Sequence, residues 1–191
     1  MKGYLLIWAT LLLLAYPVHG FEAYNRMVKY DRYFSKYSKR FFGPLLDWRH
    51  FKAQAIAESR LEANATSRVG AVGLMQIMPK TYQEIRRQNA AIRGPREHPR
   101  WNIAAGIYYD RKMWKLWQAK RPFQDRLNFM FGSFNAGKGN ILKAQQHAKR
   151  RGLNENLWAS IEQALPAITG KRSHETITYV NKIQTIKKVL R

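Results

Sequence analysis

Helical spacing of apolar residues dominates the chain beyond residue 21, and it limits the fold more than any other feature of the sequence. From Asp47 onward, steps of three and four residues link Trp48, Phe51 and Ala55 on one helix face. Alternating apolar and polar runs bounded by hairpin turns are scarce. The pattern predicts an all-α (mainly α) domain with helices near residues 24–41, 47–61, 74–88, 102–119, 125–134, 140–151, 154–165 and 175–190.

The composition favours one folded domain with a polyanionic partner. A chain of 191 residues with 46% hydrophobic residues has enough material for one core, which excludes simple disorder. Lys and Arg number 34 against 12 Asp and Glu, so the formal net charge is +22. Such a charge indicates nucleic acid, an anionic membrane surface or an acidic wall polymer as partner, and charge alone does not choose among them.

The first twenty residues resemble a secretory signal peptide. Lys2 precedes an uncharged apolar run of 13 residues at 4–16, which is shorter than the roughly 20 residues that span a membrane. Small residues at Val18 and Gly20 suit cleavage before Phe21. We expect residues 1–20 to be a signal peptide, residues 21–191 to form one domain, and the mature protein to be periplasmic or in the cell envelope. An uncleaved N-terminal anchor is the alternative.

Metal chemistry is not expected from the side chains available. The chain has no cysteine, which removes thiolate ligands and thiol nucleophiles. Its five histidines show no HExxH or comparable ligand spacing. We predict neither a metal nor an organic cofactor.

One acidic residue, Glu58, falls on the apolar face of its predicted helix, three residues after Ala55. Burial raises the pKa of a carboxyl group, so an acid in this position can stay protonated near neutral pH and act as a general acid. Spacing alone favours the structural alternative, in which Glu58 marks the edge of the core beside an arginine. Glu62, one turn later, is expected to be solvated.

Four short motifs follow in order. The first two are Glu-Ser-Arg at 58–60 and Gly-Leu-Met-Gln-Ile-Met-Pro at 73–79. Asn-Ile-Ala-Ala-Gly at 102–106 and Ser-Phe-Asn-Ala-Gly at 133–137 come next, before Glu175 and Tyr179. In this order the motifs resemble those of soluble lytic transglycosylase domains, and residues 30–58 and 158–168 resemble the membrane-bound members in particular. The resemblance implies a goose-lysozyme-like helical fold.

The resemblance also implies a set of site residues. Glu58 would be the single catalytic acid and base. Phe134 stands where the family has a tyrosine, and it lacks the hydroxyl group. Each of the other positions also suits a purely structural role, such as a loop cap, core packing or a helix-terminal charge. The predicted substrate-binding residues are Ser67, Gln76, Met78, Phe134, Asn135, Glu175 and Tyr179.

Most glycosidases use two carboxyl groups, about 5 to 9.5 Å apart, whereas the motifs here hold one catalytic candidate. The resemblance therefore implies a peptidoglycan lytic transglycosylase, which cleaves the β-1,4 bond between N-acetylmuramic acid and N-acetylglucosamine and leaves 1,6-anhydromuramic acid ends. A water-using muramidase and a non-catalytic cationic wall-binding protein are the alternatives.

Export and a sugar-cleaving site together limit the partners that the positive net charge indicates. We expect a monomer that binds peptidoglycan glycan strands, with peripheral contact to anionic membrane and no nucleic acid partner. General wall turnover, wall opening for an envelope-spanning secretion or conjugation assembly, and a phage role all fit the sequence.

Overall fold

The computed structural model describes residues 20–191, so the predicted signal peptide lies almost entirely outside the described residues. A short 3₁₀ helix at Glu22–Arg26 precedes eight α-helices within that range. They are α1 (Asp31–Phe42), α2 (Arg49–Ser59), α3 (Pro79–Gln88), α4 (Pro99–Leu116), α5 (Phe123–Ala136), α6 (Lys138–Arg150), α7 (Trp158–Thr169) and α8 (Arg172–Val189). The predicted all-α fold is confirmed.

Helices α2 and α5 form the centre of the domain. All residues from Leu127 to Ser133 on α5 are buried, and so are those from Phe51 to Ile56 on α2. A helix that is buried all round must be covered by neighbours on every side. Helices α4, α6, α7 and α8 pack around α5, while α1 and α8 pack against α2. The end of α2 is therefore held beside α8, where the candidate site lies.

The predicted helix at 74–88 is wrong in its first turn, because α3 begins only at Pro79. Leu74, Met75 and Ile77 are buried, but they lie in a loop and not in a helix. Gln76 has a φ of 44°, and the backbone of Val72 pairs with that of Ile77. Proline suits the first turn of a helix, since it has no backbone N–H to donate.

The predicted first helix, at 24–41, is also shorter than expected. Residues 27–30 interrupt it, with Met27 and Val28 exposed instead of packed against the core. Helix α1 starts at Asp31, whose carboxylate lies 2.9 Å from the buried Lys52 ammonium on α2. Within residues 20–191, no helix is both long enough and apolar enough to cross a membrane.

Candidate active site

Glu58 lies in the last turn of α2, next to the point where the helix is broken. The chain leaves the helix through two residues with left-handed backbone, Arg60 at φ 56° and Leu61 at φ 62°. This turn leads the chain away from the helix axis and opens a cavity of about 440 Å³. Its walls are formed by Ala57, Glu58, Ser59, Arg60, Glu62, Ala65, Thr66, Gln76 and Lys182.

Tyr179 on α8 forms a hydrogen bond to this glutamate. Its hydroxyl group donates a hydrogen bond of 2.6 Å to Oε1 of Glu58. Tyr179 itself is buried, with 8% of its surface exposed. Because α8 packs along α2, this bond fixes the carboxyl group at the rim of the cavity.

The surroundings of Glu58 keep it close to half-protonated at neutral pH. The pKa of its carboxyl group is raised from 4.5 to about 7, chiefly by burial and to a smaller extent by the nearby Glu175 carboxylate. The hydrogen bond from Tyr179 and the positive charge of Lys182 oppose it. A carboxylic acid with a pKa near the working pH can both give and take a proton.

The loop before α3 is held in place by Asn102, which is fully buried on α4. Its side-chain oxygen accepts the backbone N–H of Met75 at 2.7 Å, and its amide nitrogen donates to the carbonyls of Val72 and Arg96 at 2.9 Å each. A β-carbon on Gly73, whose φ is +78°, would lie 2.5 Å from that amide. The glycine therefore lets the loop approach α4.

Gly106, the last residue of the motif at 102–106, leaves room for the same loop. It lies one turn after Asn102 on the same face of α4. A β-carbon there would lie 2.8 Å from the side chain of Met75. Asn102 and Gly106 therefore hold the same loop against α4, Asn102 by hydrogen bonds and Gly106 by allowing close packing.

The predicted groove residues occupy different parts of this loop. Gln76 lines the cavity, and its amide nitrogen donates to the carbonyls of Ala65 and Gly73 at 3.2 and 2.9 Å. Ser67 lies outside the cavity lining, and its hydroxyl accepts the N–H of Ala71 at 3.0 Å. Met78 stands exposed immediately before α3.

Asn135 and Glu175 line a second cavity of about 210 Å³. Asn135 accepts a 2.7 Å hydrogen bond from the hydroxyl of Thr176. Arg172, Glu175 and Thr176 at the start of α8 line this cavity, and Lys182 further along the same helix lines the cavity at Glu58. The predicted residues are therefore distributed over two neighbouring depressions along α8.

Phe134 is partly buried and packs on another aromatic ring. Its ring meets that of Tyr109 edge to face, with the centroids 5.5 Å apart. Phe134 does not line either cavity. The structure therefore gives this residue a packing contact with α4.

Sequence reasoning missed Lys182, whose ammonium group donates to the carbonyl of Ala57 at 3.3 Å. A signal was available, because Lys182 is three residues after Tyr179 and shares its helix face. The sequence also gave no reason to single out Gln54 and Asp110, which are buried behind the site on α2 and α4.

A larger cavity, of about 600 Å³, lies along α3 and is lined partly by Arg86, Arg87 and Arg93. Its lining contains no carboxyl group. The smaller cavity at Glu58 is the candidate active site because it joins an acid of raised pKa to fixed hydrogen-bond donors. Over residues 20–191, no three His, Asp or Glu side chains are arranged to hold a metal ion.

A helical domain that places an acid of raised pKa at the end of a central helix has a lysozyme-like architecture. The profile of the transglycosylase SLT domain matches residues 34–157. The chain therefore belongs to the transglycosylase SLT domain family.

Similar proteins include membrane-bound lytic murein transglycosylases F. The one from Pseudomonas putida is 30% identical over 155 residues, which are 81% of this chain and 30% of the relative. The one from Shewanella pealeana is 28% identical over 155 residues, with the same two coverages. The chain thus spans about 30% of the length of these relatives.

Solved structures agree on the fold. The 70 kDa soluble lytic transglycosylase of Escherichia coli is similar with a TM-score of 0.63 at 23% identity, over 85% of this chain and 24% of that one. An inactive mutant of the lytic transglycosylase Slt of Pseudomonas aeruginosa has a TM-score of 0.64 at 21% identity, over 84% of this chain and 23% of that one.

Proposed function

We propose that this chain is a peptidoglycan lytic transglycosylase with Glu58 as its only catalytic acid and base. The observation that carries the proposal is the carboxyl group of Glu58, whose pKa is about 7, held by Tyr179 at an open cavity. Membership of the family and the names of the similar proteins, which are murein transglycosylases, support the choice of substrate.

The proposed reaction uses the carboxyl group of Glu58 twice, first as an acid and then as a base. The acid gives its proton to the oxygen that links N-acetylmuramic acid to N-acetylglucosamine, and the bond from that oxygen to C1 of the muramic acid breaks. The acetamido oxygen of the same sugar supports the positive charge at C1. The Glu58 carboxylate then takes the proton of the 6-hydroxyl as O6 bonds to C1. This regenerates the acid and consumes no water.

The remaining predicted residues take supporting roles in this proposal. Gln76, Ser67 and Met78 shape the groove through the loop that precedes α3. Asn135 and Glu175 line the second cavity, where they can bind a further sugar of the glycan strand. Phe134 contributes its packing against Tyr109 and no hydrogen bond. The two cavities together then accommodate an extended strand along α8.

The products distinguish this proposal from its hydrolytic alternative. Purified peptidoglycan is digested with the protein, and the released muropeptides are weighed by mass spectrometry. The transglycosylase produces anhydro ends, which are lighter by one water than reducing ends. Reducing ends would show a muramidase, and an undigested wall would show a wall-binding protein.

We further propose that the chain is exported to the cell envelope and that α1 contacts an anionic membrane there. The signal-like residues 1–20 support export. Four exposed cations are spaced by three and four residues along α1 and the residues before it, and each lies over the ring of the next residue. The pairs are Lys29 on Tyr30 at 5.3 Å, Arg32 on Tyr33 at 4.7 Å, Lys36 on Tyr37 at 6.0 Å and Arg40 on Phe41 at 6.0 Å.

Charge reversal on α1 tests the membrane contact. Each Lys or Arg close to an anionic bilayer contributes about 1 kcal/mol. Arg32→Glu with Lys36→Glu should therefore weaken binding to phosphatidylglycerol vesicles by at least about tenfold. Lys143→Glu with Arg150→Glu, exposed on α6, changes the net charge equally and should retain binding. Equal loss in both double variants would show attraction by net charge alone.

The same face of α1 also suits an acidic subunit of an envelope-spanning secretion or conjugation assembly, for which the wall must be opened locally. A pull-down from envelope extract with the parent and the α1 double variant tests this partner. Capture of such an assembly by the parent alone supports it, whereas recovery of wall material alone counts against it.

A further inference from the structure

A row of buried polar side chains extends inward from Glu58 and joins three helices. Gln54 lies one turn before Glu58 on α2, so both side chains point to the same side of the helix. Gln54 and Asp110 on α4 are both 0% exposed, and the Gln54 amide nitrogen donates to Oδ1 of Asp110 at 3.3 Å. The Gln54 side chain also lies close enough to the hydroxyl group of Tyr179 to lower its pKa, and that hydroxyl donates to Glu58 at 2.6 Å.

The directions of these hydrogen bonds are set by chemistry. An amide nitrogen has two hydrogens, so Gln54 can donate to Asp110 and Tyr179 at once. A tyrosine oxygen that faces the N–H of Gln54 keeps its own hydrogen for another acceptor. Oε1 of Glu58 is that acceptor. In this arrangement Asp110 can orient Gln54, and Gln54 can keep the hydroxyl of Tyr179 turned toward the catalytic carboxyl group.

Such an arrangement needs a reason, because burying polar groups is costly. Oδ2 of Asp110 and Oε1 of Gln54 have no hydrogen-bond partner among the described residues. Apolar side chains would fill the same space between α2 and α4 without leaving these atoms unpaired. Buried polar groups are nearly always paired, so these two atoms call for an explanation.

We propose that Gln54 and Asp110 are positioning residues, which act through Tyr179 to hold Glu58 in its reactive orientation. Asp110 does this as a neutral acceptor. Burial raises the pKa of its carboxyl group well above the usual range, and the nearby Glu58 adds to the rise. Within residues 20–191, Asp110 forms no salt bridge. It therefore serves through its oxygen and not through a charge.

The test is the titration of Glu58, followed by ¹³C NMR of its carboxyl carbon and assigned with Glu58→Gln. The hydrogen bond from Tyr179 lowers the pKa of Glu58, so loosening Tyr179 should raise it. Gln54→Met and Asp110→Leu should each raise the pKa of Glu58 by about half a unit or more. Asp110→Asn keeps an oxygen acceptor of the same shape and should restore the parental value.

Charged neighbours are the same in all variants, apart from the substituted residue. The groups that face Glu58 or line its cavity are Arg60, Glu62, Asp110, Glu175, Tyr179 and Lys182. If Asp110 were an anion, Asp110→Asn would remove a negative charge and lower the pKa of Glu58. A lowered value in Asp110→Asn, or an unchanged value in Gln54→Met, overturns the proposal.

Loss of packing is controlled on the same helix. Met113→Ala, at a buried site on α4, should lower the melting temperature without moving the titration of Glu58. If Asp110→Leu does not fold, Gln54→Met compared with Asp110→Asn decides the question. A shift of the same size in Met113→Ala would mean that the row has only a structural role.

Activity provides a second measurement, which rests on the proposed function. Gln54→Met should lower kcat for release of anhydromuropeptides by about 10- to 100-fold, with KM little changed, since a misplaced catalytic group slows the chemical step. Asp110→Asn should recover most of that loss. If the parent releases no such product, the proposed function fails while the NMR titration still tests the row.

Discussion

At the residue scale, the burial of Glu58 is expected to cost stability at neutral and alkaline pH. Its folded-state pKa of about 7 lies above the ordinary 4.5, so the folded protein binds this proton more tightly than the unfolded chain does. The stabilisation that comes from this tighter proton binding is fully present below pH 4.5 and is lost as the pH rises through 7. The difference is of the order of 3 kcal/mol above pH 7.

Glu58→Gln removes this cost, because a neutral amide replaces the acid. We expect the variant to be more stable than the parent at pH 8 by up to roughly 3 kcal/mol, and to differ little at pH 4. Urea unfolding of both proteins at the two pH values measures the difference. A variant that is equally destabilised at both would mean that Glu58 is not buried as an acid.

The same pKa sets the pH range of the proposed reaction. Glu58 must be protonated when the glycosidic bond breaks, so the rate should fall tenfold per pH unit at pH values well above about 7. Initial rates of muropeptide release are measured between about pH 5 and 9, which is roughly the span over which such an acid titrates. The measurements use conditions under which the protein stays folded. A rate that rises steadily through this range would exclude Glu58 as the acid.

At the scale of elements, the loop that precedes α3 depends on α4 for its shape. Asn102 pairs with three backbone groups, and removing it leaves buried donors and acceptors unpaired. Asn102→Ala should destabilise the protein by about 3 kcal/mol or more. Asn64→Ala, on an exposed loop, should change stability by less than about 0.5 kcal/mol. Chemical denaturation measures the stability of both variants. Equal small effects would mean that the loop keeps its shape without Asn102.

The helices and the loop differ in how far the sequence could predict them. Eight helices are expected from apolar spacing, and eight α-helices are present in residues 20–191, because spacing reports burial of one face directly. Residues 74–78 mislead the same reasoning, since Leu74, Met75 and Ile77 are apolar at helical spacing but are buried by a loop. The loop is set by Asn102, which is distant in sequence.

The candidate site likewise contains features that the sequence could predict and features that it could not. The position of Glu58 on an apolar face could be predicted within α2, because only the helix period was needed. Its contact with Tyr179 joins residues 121 apart, and only the resemblance drew attention to Tyr179 in the sequence. Gln54 and Asp110 belong to no motif and are brought together by packing of α2, α4 and α8. Tertiary contacts of this kind leave no local pattern in a sequence.

At the scale of the whole molecule, the net charge of +22 should govern adsorption to the wall. Attraction between exposed charges weakens as salt shortens the Debye length, from about 10 Å at 0.1 M to about 3 Å at 1 M. Sedimentation with purified peptidoglycan should therefore show strong binding at low salt and weak binding at high salt. Adsorption that does not depend on salt would point to recognition through sugar contacts alone.

The most direct measurement of the central claim compares Glu58→Gln with Glu22→Gln in the digestion of purified peptidoglycan. Both changes remove one negative charge, and Glu22 is exposed on the N-terminal 3₁₀ helix, away from both cavities. We predict that Glu22→Gln releases anhydromuropeptides at the parental rate, and that Glu58→Gln is slower by at least about 100-fold. Digestion by Glu58→Gln at the rate of the parent would contradict the assignment of Glu58 as the catalytic acid.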